Sequence, residues 1–233
     1  MKISQIIEKN KAAILLIDLH KQGEGNQKQI SIRGTGFVVS SDGKFITRAH
    51  VYKQIPSNEI DLLGASVPGE ANGKNSISYN RYPVKLLSID EENDVALMQI
   101  VSDKTDFKTI EGIETEESIV EGDEALFVGY PLATELLSMG FGLTMTTNKC
   151  IVSSVKRRGS DGSLHFYLVD THVNNGSSGS PLFSADTGKV IGIVSARINM
   201  SRVAGPTGGT VDIPANLGIC RPSIYIDKLI KNN

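Results

Sequence analysis

Short apolar or alternating segments recur along the whole chain: AAILLIDL, ISIRGTGFVVS, GKFITRAHV, YPVKLLSID, DVALMQIV, EALFVGYP, KCIVSSVKR, LHFYLVDTHV, KVIGIVSAR and NLGICRP. Most are five to eight residues long, rich in Val, Ile and Phe, and bounded by Gly, Asn, Asp or Ser, which is the spacing of strands rather than of helices. The repeated long amphipathic segments that an alternating strand and helix fold needs are missing. The pattern therefore predicts an all-β protein, a barrel or a sandwich. Helical spacing is convincing only at the end, in RPSIYIDKLIKNN, where Pro222 suits a first helical turn and Ile226, Leu229 and Ile230 share a face, predicting a helix over about 222–231. A weaker helical pattern covers residues 2–9. The acidic, strand-poor stretch from Ser102 to Ser118 divides the chain nearly in half and reads as the connection between two β lobes. This gives a first lobe over about 12–105, a connecting segment over about 106–118 and a second lobe over about 119–221. Residues 64–80, with scattered Gly, Asn and Ser, read as a long surface loop.

Composition removes several function classes. With 39% hydrophobic and 21% charged residues the chain is an ordinary globular protein, and its net charge of -2 offers no basic footprint for nucleic acid or an anionic membrane. The apolar run from Ala12 to Ile17 is too short to span a bilayer. With no cleavage-site pattern after it, the chain reads as cytoplasmic. Cys150 and Cys220 sit in apolar contexts, without CxxC or Cys/His spacing, and are expected to be buried thiols. No cluster of residues implies a metal or an organic cofactor.

One segment carries candidate chemistry. NNGSSGSPLF, from Asn174 to Phe183, runs four small residues into a proline and a strand, and holds a serine at an exposed turn. A serine nucleophile needs a base, and the base needs a group that fixes its tautomer. Of the four histidines, His20 and His165 lie in runs with no catalytic surroundings, and His172 lies near the serine loop. His50 stands next to last in the run GKFITRAHV, at the expected end of a strand. In IDEENDVALMQI the carboxylates Asp90, Glu91 and Glu92 solvate a turn, while Asp94 stands where the chain enters the core and can be aimed at an imidazole. Two other serine and glycine motifs fail on the residues. GSSGS is one glycine short of the nucleophile elbow GxSxG, and GTGFVV lacks the third glycine of a dinucleotide fingerprint.

Taken together, TRAHV, NDVAL and NGSSGSP resemble the His, Asp and Ser motifs of chymotrypsin-fold serine proteases, most closely the HtrA (Deg) protease domain. GTGFVVSSDGKFITRAHV, EGDEALFVGYP, TNKCIVSSVKR, VDTHVNNGSSGSPLF, GKVIGIVSA and NLGICRPS match segments of that domain in order. The resemblance implies two six-stranded antiparallel β-barrel lobes with a short C-terminal helix. It implies His50 as general base and acid, Asp94 as its orienting carboxylate, Ser178 as nucleophile, and the amides of Gly176 and Ser178 as an oxyanion hole. It also implies that Ile193 to Arg197 pair with the substrate backbone, and that His172 and Val173, Ser195, Ala196 and Arg197, and Gly218 and Cys220 wall the specificity pocket. His172 and Arg197 then favour polar or acidic side chains before the scissile bond. NMSRVAGPTGGTVDIPANLG is expected to be a mobile loop beside that pocket. The sequence departs from the family at Ser177, at Ser180 and at Arg48, which is expected at the surface or on the leaving-group side of the cleft. No PDZ domain follows before Asn233. The expected partner is a protein or peptide substrate, with an activating partner or a homo-oligomer as regulators. The alternatives are a protease inactive until gated, and a peptide-binding barrel with a vestigial triad.

Overall fold

The computed structural model describes residues 1–22, 28–71, 77–204 and 210–232. The first barrel is built from β1 (Ile14–Gln22), β2 (Lys28–Val38), β3 (Lys44–Thr47), β4 (Leu63–Ala71), β5 (Ile77–Asp90) and β6 (Val95–Ile100), closed in the order β1-β2-β3-β6-β5-β4. The second uses β7 (Glu124–Gly129), β8 (Thr146–Arg157), β9 (Leu164–Val169), β10 (Pro181–Ser184), β11 (Val190–Ala204) and β12 (Thr210–Pro222), closed in the order β10-β11-β12-β9-β8-β7. Every strand pairing is antiparallel. Among the described residues four short α-helices accompany the barrels, α1 (Ile3–Asn10), α2 (Ala49–Lys53), α3 (Ala133–Ser138) and α4 (Ser223–Lys231), with short 3-10 segments at Lys11–Ala13 and Ser57–Leu62. The all-β character and the C-terminal helix are as the pattern predicts, and the two six-stranded barrels are as the resemblance implies. None of the described helices is long and apolar enough to cross a membrane.

The apolar run that opens β1 has a specific cause. Ile14, Leu15, Leu16 and Ile17 are buried in succession rather than alternately, so both faces of the strand are covered. One face fills the first barrel, and the Tyr130 hydroxyl, just beyond β7 of the second barrel, donates to the Ile14 carbonyl at 3.2 Å. The apolar cluster of the first barrel continues across this seam through Leu126, Val128, Tyr130, Phe183 and Ile193, whereas Phe127, Val152, Leu182 and Val194 form a separate core inside the second barrel. Helix α4 buries Tyr225, Ile226 and Leu229 and touches β5 and β6 of one barrel and β11 and β12 of the other. The helix straps the lobes together.

Two expected loops are largely paired strand instead, with residues 72–76 of the first lying outside the described residues. Residues 64–80 include most of the β4–β5 hairpin, with Gly64 opposite Pro83 and Pro68 opposite Tyr79. The glycines there make room for neighbours: a side chain at Gly64 would collide with the Arg81 guanidinium, which donates to the buried Asp18 carboxylate together with the Ser66 hydroxyl at 2.6 Å. Much of the segment from Asn199 to Gly218 likewise belongs to the β11–β12 hairpin, whose described part extends to Ala204 opposite Thr210. Its Pro214 sits where the register shifts on both sides of Asn199, a position at which a missing amide is tolerated. Residues 205–209 of this expected loop lie outside the described residues. Both cysteines are buried free thiols, and burial pushes the Cys150 thiol up to about 12.

Candidate active site

The first barrel supplies a histidine and an aspartate held by backbone as well as side chain. β3 ends at Thr47, Arg48 keeps an extended backbone, and the chain then turns into α2, whose second residue is His50. Asp94 enters β6 with φ +54°, a left-handed conformation that Asp and Asn adopt more readily than most residues. That turn brings its carbonyl to the Ala49 amide at 3.2 Å, its Oδ1 to the His50 amide at 2.8 Å and its Oδ2 to His50 Nδ1 at 2.8 Å. Burial alone would raise the Asp94 carboxyl, but the hydrogen bonds from His50 and the charge of Arg48 outweigh it and hold the group down at about 2. An ionised carboxylate accepting from Nδ1 leaves the other ring nitrogen, Nε2, as the free base.

Arg48 is neither at the surface nor on the leaving-group side of the cleft, and here the sequence expectation is corrected. Its side chain is fully buried, and Nη2 and Nε donate to Asp94 Oδ2 at 2.6 and 3.1 Å. Nη2 also donates to Ser195 Oγ at 2.6 Å, across the seam. The physical reason is continuity of burial: Phe45, Ile46, Thr47 and Ala49 around it are all buried, so the strand carries the arginine inward with them, and Asp94 supplies its counter-charge.

The second barrel supplies the serine. Ser178 sits between β9 and β10 in a loop tied down on both sides: its carbonyl accepts from the Thr35 amide at 2.9 Å, and the Gly179 amide donates to the Val194 carbonyl at 2.9 Å. The Leu132 amide donates to the Asn175 carbonyl at 2.7 Å. In a trans peptide the N–H points opposite to the C=O, so this bond turns the Gly176 amide away from Leu132. Gly176 manages this with φ +90°, and a side chain there would strike the Tyr130 carbonyl. Among the described residues neither the Gly176 nor the Ser178 amide donates a hydrogen bond. Thr35, which the sequence reading overlooked, sets this loop from β2: its hydroxyl donates to the Gly176 carbonyl at 2.7 Å and accepts from the Tyr130 amide at 3.1 Å. Only its place in the GTGF motif hints at this.

Ser178 Oγ donates to the Ser195 carbonyl at 3.1 Å, and no hydrogen bond joins it to His50 among the described residues. That carbonyl is available because of a bulge: β11 pairs Val194 with Cys220 and Ala196 with Ile219, leaving Ser195 as the extra residue. Close packing makes the loop intolerant. Gly179 has φ +92°, and an added Cβ would fall on the Thr35 carbonyl oxygen. We expect Gly179→Ala to lose at least ~3 kcal/mol of stability and to displace Ser178, read as a lowered melting temperature and loss of near-ultraviolet ellipticity.

A cleft runs along the seam on both sides of Ser178. One cavity, of about 410 Å³, is lined by His50, Gly176 and Ser178 together with Arg33, Gln54 and Glu135. The other, of about 330 Å³, is lined by Val173, Asn174, Asn175 and Ser195 beside His50, Gln54 and Ser178. Val173 and Ser195 thus stand where the expected specificity pocket lies. His172 is turned to solvent, because its neighbour Val173 takes the inward position, and Cys220 is fully buried in the core of the second barrel rather than presented to the cavity. Gly218 lies behind Val173, whose Cγ2 a Cβ would meet at 2.5 Å. The backbones of Ala196 and Arg197 are paired with Ile219 and Gly218; their side chains lie outside the described residues. Among the described residues no three His, Cys, Asp or Glu side chains gather as a metal site.

Comparison with known proteins agrees with this geometry. The family model for the trypsin-like peptidase domain matches residues 34–193. A probable periplasmic serine endoprotease, DegP-like, from Chlamydia trachomatis is 27% identical over 217 residues, which is 91% of this chain and 35% of that protein. Serine protease HTRA1A of Danio rerio is 27% identical over 84% of this chain and 37% of its own length. A DegP-like protein of Brucella suis is 28% identical over 91% of this chain and 35% of its own. The chain spans about a third of the length of these relatives. With matching segments along most of its length and its histidine, aspartate and serine gathered at the seam of two six-stranded barrels, the chain belongs to the trypsin-like peptidase domain family.

Proposed function

We propose that this domain is a serine endopeptidase that hydrolyses peptide bonds through an acyl-enzyme on Ser178. The observation that carries the reading is the His50–Asp94 pair, 2.8 Å from Nδ1 to Oδ2, sharing one cleft with Ser178 and with the Gly176 and Ser178 amides, which donate no hydrogen bond among the described residues. In this reading Ser178 Oγ attacks the substrate carbonyl carbon while His50 Nε2 takes the hydroxyl proton. The amides of Gly176 and Ser178 receive the developing oxyanion, each worth roughly 2.7 to 4 kcal/mol in comparable sites. His50 then gives its proton to the leaving amine, and water releases the acyl group by the same steps in reverse. Asp94 stays ionised throughout and holds the imidazole in the tautomer that the chemistry needs.

The Ser178 hydroxyl must first leave the Ser195 carbonyl and turn toward His50. An extended substrate that hydrogen-bonds along Ser195 to Arg197 competes for that same carbonyl, so peptide binding itself favours the reactive rotamer. The parked hydroxyl also favours, as a second reading, a protease held at rest until a partner or another copy reshapes the cleft. The two readings separate by mass spectrometry. Incubation with a fluorophosphonate is expected to add one adduct to the wild-type chain, whereas a folded protein that reacts only after a partner is added supports gating.

With His172 outside and Val173 lining the cavity, the pocket suits a small uncharged side chain before the scissile bond, in place of the polar or acidic one that the sequence led us to expect. Cleavage of a peptide library is expected to favour Ala, Val, Thr or Ser there. A dominant preference for Lys, Arg, Asp or Glu would overturn this assignment.

A further inference from the structure

Arg48 is placed where the fold gains little from it. Its side chain is fully buried at the seam, two of its nitrogens donate to Asp94 Oδ2, and Nη1 is buried with no hydrogen-bond partner among the described residues. A buried ion pair recovers at best its desolvation cost, and a stranded donor adds to that cost, so a small neutral residue would serve stability better. What the arginine gains is position. Asp94 Oδ2, which accepts from the guanidinium at 2.6 Å, is the same oxygen that accepts from His50 Nδ1 at 2.8 Å. Its other link, 2.6 Å to Ser195 Oγ, reaches the residue whose carbonyl receives the Ser178 hydroxyl. One side chain therefore touches the carboxylate of the first barrel and the Ser195 bulge of the second.

We propose that Arg48 is a positioning residue for the hydrolysis, a fourth member of the array that fixes the Asp94 carboxylate toward His50 and shares its negative charge, and that joins it to the strand segment facing Ser178. The proposal rests on the roles given above to His50 and Ser178. A guanidinium stays charged where a lysine or histidine would lose its proton, and its planar fork reaches Asp94 and Ser195 together. In its presence the carboxylate divides its pull between a fixed cation and the imidazolium formed during turnover. The acidic limb of activity then lies at lower pH than Asp94 alone would set. Other groups facing this array are Arg221 and Cys220 on β12 and Asp90 at the end of β5, with Arg33 on β2 and Glu135 on α3 lining the cleft beside His50.

The test uses the full chain as wild type, Arg48→Met and Arg48→Lys, read by low-field proton NMR of the His50 Nδ1–H and by the pH profile of fluorophosphonate labelling. Methionine has similar reach and no charge, so Oδ2 is left to His50. In Arg48→Met the Nδ1–H resonance is expected to move downfield and the acidic limb of labelling to rise by about one pH unit, with Arg48→Lys closer to wild type. An unmoved resonance with a labelling profile merely scaled down would overturn the proposal, because a structural filler changes amplitude and not shape. If wild type fails to label at any pH while the resonance still moves in Arg48→Met, the reading of a hydrolase active by itself falls in favour of a gated or vestigial site, and the coupling of Arg48 to His50 through Asp94 stands. Should circular dichroism show Arg48→Met unfolded, Arg48→Gln replaces it with the same expectations.

Discussion

Ser178→Ala is expected to lower peptide turnover by about a million-fold and to abolish the fluorophosphonate adduct while leaving the melting temperature close to that of wild type. The size of the loss follows from the way the site is divided. In the proposed mechanism His50 and Asp94 only prepare a base, so removing the one oxygen that would form the covalent bond leaves them nothing to activate. Stability should change little because Ser178 Oγ makes a single hydrogen bond, to the Ser195 carbonyl, while the loop is held by the backbone bonds of Ser178 and Gly179 to Thr35 and Val194. Turnover assays and intact-mass measurement on the same preparations check both halves. Retention of peptide affinity by the variant without turnover is compatible with the enzyme reading, whereas retention of full turnover would remove it.

Asp94→Asn is expected to cost about 10⁴-fold in turnover and, in addition, to destabilise the fold. Asn tolerates the left-handed backbone at position 94, so the change isolates chemistry from strain. Both carboxylate oxygens are in use: Oδ1 accepts from the His50 amide and Oδ2 from His50 Nδ1 and Arg48. An amide group must therefore set its NH₂ against a donor in either orientation. Arg48 would also remain buried without its counter-ion, a loss on the order of 3 kcal/mol in comparable pairs. The pH dependence has a fixed sign. Asp94 ionises at about 2 in the folded protein against an ordinary 3.8, so its contribution is complete above the unfolded value and disappears as pH falls through the folded one. Thermal melts of wild type and Asp94→Asn should differ by a constant amount above about pH 5 and converge between there and about pH 2. A gap that persists at pH 2 would mean that the carboxylate charge is not what stabilises this corner.

Short apolar runs of strand length between turn residues exposed the barrels, although β3, β6, β7 and β10 are buried on both faces and among the described residues only β8 alternates clearly, and α4 was exposed because its apolar residues recur at a spacing that no strand shares. The two hairpins read as loops were hidden for one reason. Glycine and proline mark turns, but they also mark places where a neighbour comes close or a ladder shifts register, as at Gly64 and Pro214, and sequence alone does not separate these uses. The triad candidates were legible because three motifs stood in order. Arg48 was read wrongly because charge was taken as a sign of exposure. The informative signal was its setting, an arginine inside the uninterrupted run FITRAHV, which demands a buried counter-charge and therefore points to Asp94. The pocket residues were the least legible, since whether His172 or Val173 faces inward depends on the phase of a loop that follows neither helical nor strand period.

In the proposed mechanism the base and its carboxylate, His50 and Asp94, come wholly from one barrel, and the nucleophile Ser178 with the amides of Gly176 and Ser178 from the other. Under that mechanism, catalytic competence is a property of how the two halves dock along the seam that α4 straps. Any molecule that tilts one lobe against the other by a fraction of an ångström has its hand on the rate without touching a single reacting atom.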